Sequence, residues 1–149
     1  AEKDKFRLRL QSMLKRYDSL DYIPPMKSGQ NLLPITPGEW LALLHKLEEL
    51  GEYEYVVLDL SESMQGLFEI LRLCDKVYTL TRDERLAKAK LAQYEQVLAL
   101  YQYEDVLQKT KRLTIPHIRK VPSDLEQLTK GDLAKLVGEL LREMEKEEK

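Results

Sequence analysis

The stretch YEYVVLDLSESMQG, from Tyr53 to Gly66, decides the predicted fold. Its apolar run is β-branched and nearly continuous, which is typical of a strand covered on both faces in a parallel sheet. The run ends at Asp59, and a short polar loop separates it from a helical pattern that begins at Met64. Ligands of open parallel sheets bind at the carboxyl ends of the strands. The stretch therefore predicts a central buried strand that places Asp59 at the ligand-binding edge of a sheet.

Predicted helices and strands alternate along the rest of the chain. Apolar spacing and a TPGE capping box, formed by Thr36 and Glu39, predict a helix that ends at Gly51. Further helices are predicted over 4–17, over 83–102, over 104–109 and from TKGD (129–132) to an acidic tail, 143–149, that we expect to fray. Further strands are predicted in SLDYI (19–23), KVYTLT (76–81) and RLTIPHI (112–118). This alternation favours βαβ units and predicts one α/β domain over residues 1–149, with three layers and a mostly parallel sheet between flanking helices.

The bulk composition indicates a globular, well-solvated chain, with 43% hydrophobic and 34% charged residues. The formal net charge of -2 is too close to zero to indicate a polyanionic partner by itself.

The lone cysteine, Cys74, is predicted to be a buried, inert thiol, and a single cysteine fits a reducing, cytoplasmic location. No apolar run is long enough to span a bilayer. Because residue 1 is Ala rather than Met, we expect the chain to be a fragment of a longer protein.

Polar residues follow three of the predicted strands, where a ligand would bind if the strand ends share one edge. They are Asp59, Ser61, Glu62 and Ser63 after the first strand, Thr81, Arg82 and Asp83 after the second, and Pro116 and His117 after the third. The alternative is that Asp59 simply ends a strand and that Ser61 or Ser63 caps the next helix, since such caps are common.

The common nucleotide-binding and catalytic motifs are absent from the sequence. A phosphate loop, G-x-x-x-x-G-K-[ST], needs a lysine directly after a glycine, and none of the six glycines is followed by lysine. Neither G-x-G-x-x-G nor G-x-S-x-G occurs. Two histidines and one cysteine do not make a Cys/His zinc site, and the serines at 61 and 63 lack an evident base partner. We therefore expect no catalysis by this chain alone.

One stretch has a single sign of charge, because no Asp or Glu occurs between Val106 and Ser123. Its cations are Lys109, Lys111, Arg112, Arg119 and Lys120. Such a basic stretch could contact nucleic-acid phosphates or anionic lipid. The favoured alternative is a solvated edge, because no aromatic stacking pattern accompanies the cations. The last helix has an acidic polar face that anionic membranes would repel, so we expect it to pack on the sheet.

The order of these elements resembles the carboxyl-terminal half of the MinD/ParA-type P-loop ATPases. The resemblance is carried by YEYVVLDLSES, by CDKVYTLTRDE with its following long helix, and by TIPHIRKVPSDLEQLTKGDLAKLVGELL. The last of these is similar to the closing strand, proline-bearing loop and final helix of that family. The resemblance covers roughly residues 19–142 and implies a partial P-loop NTPase-like fold. The pilus-assembly and localisation branch (CpaE/TadZ-like) is the most similar, since its members often carry altered nucleotide motifs.

Transferred by position, the resemblance implies that Asp59 is the aspartate on the magnesium side, which holds the ion through water. Ser61, Glu62 and Ser63 would form a switch-like loop, and Pro116 and His117 would lie on the adenine side. ATP and magnesium would then be cofactors of the longer protein and not of this chain, because the amino-terminal strand and the phosphate loop are missing. The loop after Asp59 also lacks the glycine that the family usually has there.

Three functions remain as expectations. The first is the non-catalytic carboxyl-terminal part of a MinD/ParA-like ATPase that acts in intracellular localisation or in pilus or secretion assembly. The second is a degenerate ATPase-like interaction module that binds a partner protein or a second copy and in which Asp59 is vestigial. The third and least favoured is binding of DNA or a membrane surface through the basic stretch.

Overall fold

The computed structural model describes residues 1–62, 64–118 and 123–147, and it shows a mixed α/β protein. The chain divides into two compact units, Ala1–Asp75 and Lys76–Lys149. Each unit combines helices with one two-stranded sheet among the described residues. A single domain and a fragment of a longer protein both stay predictions.

The first unit contains three α-helices, a short 3-10 helix and a hairpin. In chain order they are α1 (Glu2–Met13), β1 (Lys15–Tyr17), β2 (Leu20–Tyr22), the 3-10 helix (Gly29–Leu32), α2 (Pro37–Leu50) and α3 (Leu67–Leu73). The strand predicted in SLDYI is therefore present, but it pairs antiparallel with β1. The helix predicted over 4–17 ends at Met13, and its last residues form β1 instead. Asp18 allows the tight turn, since Asp tolerates the left-handed backbone (φ 54°) better than most residues do.

The capping box that the sequence predicts at the start of α2 is confirmed. The backbone N of Glu39 donates to Thr36 Oγ1 at 3.3 Å, and the backbone N of Thr36 donates to Glu39 Oε2 at 2.8 Å. Pro37 occupies the first turn, where its missing N–H costs nothing. At the other end, Gly51 has a φ of 64° and closes the helix. These signals lie within a few residues of each other, so the sequence alone defines this helix.

The predicted central strand is the main correction. Residues 53–60 form no strand in the structure, and Asp59, expected at a strand end, is exposed in an irregular segment. Val57 is 89% exposed and Val56 is 50% exposed. A buried strand needs neighbours that bond its backbone and cover its side chains. Within the described residues, the hairpin in the first unit does not pair with this run, so its apolar composition does not lead to burial.

The second unit contains a parallel strand pair and four helices. In chain order they are β3 (Val77–Thr81), α4 (Arg85–Leu100), α5 (Glu104–Gln108), β4 (Thr110–Thr114), α6 (Leu125–Leu128) and α7 (Asp132–Glu147). β3 and β4 pair in parallel, from Val77 opposite Thr110 to Thr81 opposite Thr114. The strand predicted in KVYTLT is confirmed, and the strand predicted in RLTIPHI begins two residues earlier and ends at Thr114. The two strands and the helices between them form a βαβ unit.

Each unit has a small apolar core of its own. Among the described residues, the buried apolar side chains are Leu10, Leu50, Ile70 and Leu71 in the first unit and Val77, Leu98, Val106 and Leu113 in the second. No described polar or charged residue is buried. Cys74, predicted to be buried, is half-buried at the end of α3, and its Sγ donates to the Ile70 carbonyl at 3.3 Å. The cores lie where helices cover short strands or one another.

Helix α7 lies against its unit by ion pairs and a half-buried stripe, with no fully buried side chain. Glu143 pairs with Lys111, and Glu147 pairs with Lys76. Residues 143–147, which we expected to fray, are therefore helical and hold ion pairs. The remaining tail residues, 148–149, lie outside the described residues.

None of the helices that the structure describes is both long enough and apolar enough to cross a membrane.

The start of α3 packs tightly against the start of α2. Gly66 precedes α3 with a φ of 75°, a conformation that side chains disfavour. A Cβ added to Gly66 would lie 2.5 Å from Pro37 Cβ, well inside van der Waals contact. Gly66 therefore allows both the backbone turn and the close approach of the two helices.

We expect Gly66→Ala to destabilise the first unit by about 1–3 kcal/mol, because it adds backbone strain to a steric overlap. Urea unfolding followed by circular dichroism measures the loss. Gly38→Ala is the matched control, since a Cβ there meets nothing within 4 Å, and we expect no destabilisation from it. Equal unfolding midpoints for Gly66→Ala and the unmodified chain would show that the contact is not tight in solution.

Candidate functional site

The candidate ligand residues of the first unit lie on an exposed loop. Asp59 and Glu62 are exposed, and Ser63 lies outside the described residues. Ser61 begins a turn in which its carbonyl accepts from the backbone N of Met64 at 3.3 Å. Gly66 is the N-cap residue of α3 and has no side chain that could accept a capping hydrogen bond. Ser61 therefore does not cap this helix, and the same alternative for Ser63 lies outside the described residues. The strand that Asp59 was expected to end is absent, since residues 53–60 form no strand.

Pro116 and His117, the other two candidate cofactor residues, belong to the second unit. They follow β4, after a last contact in which the backbone N of Ile115 donates to the Thr81 carbonyl at 2.8 Å. Pro116 is half-buried and His117 is exposed. The predicted cofactor residues are thus divided between the two units, with Asp59, Ser61 and Glu62 in the first.

A magnesium site at Asp59 would need substrate phosphates in addition to this carboxylate. Magnesium in nucleotide sites is held by one or two carboxylates together with substrate phosphates. Across residues 1–62, 64–118 and 123–147, no group of three or more His, Cys, Asp or Glu side chains is placed to hold a metal ion. The sequence also has no phosphate loop to bring phosphates to Asp59. The role of Asp59 as a magnesium-side aspartate stays a prediction about a longer protein.

The basic stretch is partly neutralised by acidic partners. Lys111 pairs with Glu143, and this contact raises the pKa of Lys111 and lowers the pKa of Glu143. Arg112 makes a two-armed contact with Glu95, in which the Nε–Oε1 distance is 2.6 Å. Lys109 is half-buried, and the last two cations, at 119 and 120, lie outside the described residues. A phosphate would have to displace carboxylates from Lys111 and Arg112, which weakens the case for nucleic acid.

Sequence reasoning missed a polar cluster of three side chains in the first unit. Arg16 faces Asp21 across the hairpin, with Arg16 Nε 2.7 Å from Asp21 Oδ1 and a second guanidinium nitrogen 3.1 Å from Oδ2. The Tyr53 hydroxyl donates to Asp21 Oδ2 at 2.9 Å. The Asp21 side chain is only 14% exposed. The cross-strand pairing of Arg16 with Asp21 could be read from the sequence once the hairpin is known, but the contact with Tyr53 spans 32 residues and has no local signal.

The cluster braces the chain through one ion pair and hydrogen bonds to a single carboxylate. The hydrogen bonds from Arg16 and Tyr53 hold the pKa of Asp21 below its ordinary value, so the carboxylate stays ionised and engaged. An open groove beside it is lined in part by Leu10, Leu14 and Glu52, and the Glu52 carboxylate is paired with Arg7. The cluster fixes Tyr53, and so holds the amino-terminal end of the exposed run.

A second contact holds the chain on the other side of that run. Gln65 Nε2 donates to the carbonyl of Leu33, the C-cap residue of the 3-10 helix, at 2.8 Å. Residues 55–60, called the apolar segment below, therefore lie between two fixed points, Tyr53 and Gln65. The segment presents Val56 and Val57 to solvent. A tethered apolar run is better prepared for binding than a free tail, because part of its ordering entropy is already lost.

The chain was compared with protein-family models, curated proteins and solved structures, and none of them matches it. The resemblance to MinD/ParA-type ATPases, and the roles it gives to individual residues, therefore stay predictions.

The low pKa of Asp21 predicts an acid-sensitive contribution to stability. A carboxyl whose pKa is lowered in the folded state stabilises the fold at pH values above its ordinary pKa of 3.8. This contribution is lost as the pH falls through the lower pKa of the folded state. We expect Asp21→Asn to be less stable than the unmodified chain near neutral pH, and the difference to shrink on acidification. Urea unfolding between about pH 7 and pH 2.5 measures it.

Asp75→Asn is the control, because Asp75 is an exposed carboxyl of the same unit. We expect that variant to follow the unmodified chain at every pH. A stability difference for Asp21→Asn that stays constant down to the lowest pH would contradict the proposed brace.

Proposed function

We propose that the chain is a non-catalytic protein-interaction module and that the apolar segment, residues 55–60, is its binding element. The observation that carries the proposal is the exposure of adjacent β-branched residues, with Val57 at 89% and Val56 at 50%. Single exposed apolar residues are ordinary, but a contiguous apolar run on a surface marks an interaction site. Binding of a partner would cover this apolar run, whereas catalysis gives no reason for its exposure to water.

The mode of binding that fits the segment is the addition of a strand. Val, Ile and Tyr favour extended backbone, and Tyr55, Val56 and Val57 supply three such residues in a row. Strand addition gives affinity through main-chain hydrogen bonds and specificity through alternate side chains. Full burial of a valine side chain contributes about 1.5–3 kcal/mol, so covering Val57 would be a large part of the binding free energy. The fixed points at Tyr53 and Gln65 limit the entropy lost on binding.

Other exposed apolar residues fit a binding role less well. Val137 and Leu141 are exposed on α7, but the rest of that helix's apolar stripe is half-buried and its acidic residues already pair with Lys111 and Lys76. Leu86 is 67% exposed near the start of α4, and its sequence neighbours are the charged or small residues Arg85 and Ala87. These positions serve better as controls than as candidate sites.

Selection from a random peptide library tests the proposed function without a known partner. The whole chain is presented to a displayed library of peptides, and the same selection is repeated with Val57→Lys and with Leu86→Lys. We expect peptides that bind the unmodified chain and Leu86→Lys but not Val57→Lys, because a charge at 57 cannot be covered by an apolar strand. Circular dichroism of both variants checks that the fold is kept.

Peptides that bind all three proteins equally would contradict a role for the apolar segment. So would a selection that enriches nothing, because a strand-binding element should capture some extended apolar sequence.

 

A second candidate function is the carboxyl-terminal part of a MinD/ParA-like ATPase. In this function, the chain would supply the Asp59 side of the nucleotide site in an ATPase that acts in localisation or in pilus or secretion assembly. The βαβ unit formed by β3, α4, α5 and β4 supports it, because three-layer, mostly parallel P-loop sheets are built from such units. In that longer cytoplasmic protein, ATP and magnesium would be the cofactors, and the apolar segment would become a strand between partners from the same chain.

The second candidate predicts that this chain by itself does not bind ATP, because it has no phosphate loop. Calorimetry with ATP and magnesium measures this, and tight magnesium-dependent binding would contradict it. The gene is expected to encode a phosphate loop upstream of Ala1. In the protein so encoded, Asp59→Ala should abolish ATP turnover, whereas Glu145→Ala, a change at an exposed residue of α7, should not. A start codon directly before this segment would exclude the second candidate.

Binding of DNA or of a membrane surface is the least supported function. Lys111 and Arg112 already contact Glu143 and Glu95, so phosphates would compete with carboxylates for both cations.

A further inference from the structure

We propose that the partner strand of the apolar segment is an extended apolar peptide flanked by lysine or arginine. This inference rests on the proposed function and adds the chemistry of the partner. It follows from carboxylates around the segment that form no ion pair within residues 1–62, 64–118 and 123–147.

The apolar segment lies in the most one-sided charge environment of the sequence. Between Lys46 and Arg72 there is no Lys, Arg or His. The acidic residues between those two positions are Glu48, Glu49, Glu52, Glu54, Asp59, Glu62 and Glu69. A bound strand would therefore meet negative charge at both ends of its apolar contacts.

The acidic residues closest to the apolar segment have no basic partner in the described part of the chain. Glu52 is paired, with its Oε1 2.5 Å from Arg7 Nε. Glu54, Asp59 and Glu62, by contrast, form no ion pair among the described residues. Glu54 and Asp59 directly bracket the apolar residues, so basic residues at both ends of a partner strand would face them. Opposite charges on neighbouring strands stabilise the pairing, and like charges oppose it.

The same charges argue against a second copy of this segment as the partner. In the antiparallel pairing centred on Val56 and Val57, Glu54 of one copy would face Asp59 of the other. In a parallel, in-register pairing, each acidic residue would face its own counterpart. Both arrangements place like charges opposite one another, which is destabilising. Charge complementarity therefore selects a basic partner.

Three synthetic peptides of the same alternating valine and threonine core test this inference, with lysine, serine or glutamate at both flanks. Fluorescence anisotropy measures their binding to the whole chain. At low ionic strength, we expect the lysine-flanked peptide to bind roughly tenfold more tightly than the serine-flanked one, and the glutamate-flanked peptide to bind most weakly. At about 0.5 M salt the preference should fall to roughly twofold, because exposed charges are screened.

Matched variants assign the preference to the two flanking carboxylates. The double variant Glu54→Gln, Asp59→Asn keeps size and polarity, and we expect it to bind the lysine- and serine-flanked peptides equally. Glu145→Gln, which changes an exposed carboxylate on α7, should retain the roughly tenfold preference. A double variant that retains the full preference would overturn the inference.

The outcomes separate this inference from the proposed function. If the peptides bind equally well and Val57→Lys abolishes binding of all of them, the basic preference is wrong and the interaction through the apolar segment stands. If Val57→Lys binds all peptides as the unmodified chain does, both are wrong. Self-association that sedimentation detects and Val57→Lys removes would overturn the inference by making a second copy the partner. Failure of every peptide to bind would overturn it too, leaving the library selection to decide the proposed function.

Discussion

An extended apolar run can be buried in a sheet only if neighbouring strands bond its backbone and cover its faces. This requirement governs the first unit, where the sheet among the described residues consists of β1 and β2 and does not include residues 55–60. The Arg16, Asp21 and Tyr53 cluster fixes the chain before the run, and Gln65 fixes it after. The polar contacts therefore determine where the apolar residues are presented, although they do not cover them.

The parts of the fold that could be predicted from the sequence depend on contacts between close neighbours. The capping box of Thr36 and Glu39, the stop at Gly51 and the β-branched strand β3 all depend on residues a few positions apart, and the structure contains each of them. Residues 55–60 have the same strand-like composition as β3. β3 pairs in parallel with β4, whereas no strand pairing among the described residues includes the run, and that difference is set by chain topology, which composition does not reveal.

The candidate site was harder to predict than the fold elements for the same reason. Asp59 and Glu62 could be chosen as candidates from their place after an apolar run, but their grouping with His117 assumed one sheet edge for both. The structure places them in different units. The contact between Tyr53 and Asp21 joins residues 32 positions apart, and no local pattern indicates it. Side-chain chemistry can thus be read locally, whereas the assembly of a site depends on long-range packing.

Charge is distributed differently along the two units, and this bears on which surface can bind. In the second unit, Lys111 and Arg112 are each matched by a carboxylate. Glu54, next to the apolar segment, and Asp59, within it, have no such match among the described residues. A partner gains most where apolar area and unmatched charge coincide, because burial supplies affinity and charge supplies selectivity. The two candidate functions agree on this point: whether the neighbouring strand comes from a longer chain or from another protein, it must cover Val57 while meeting negative charge at both ends.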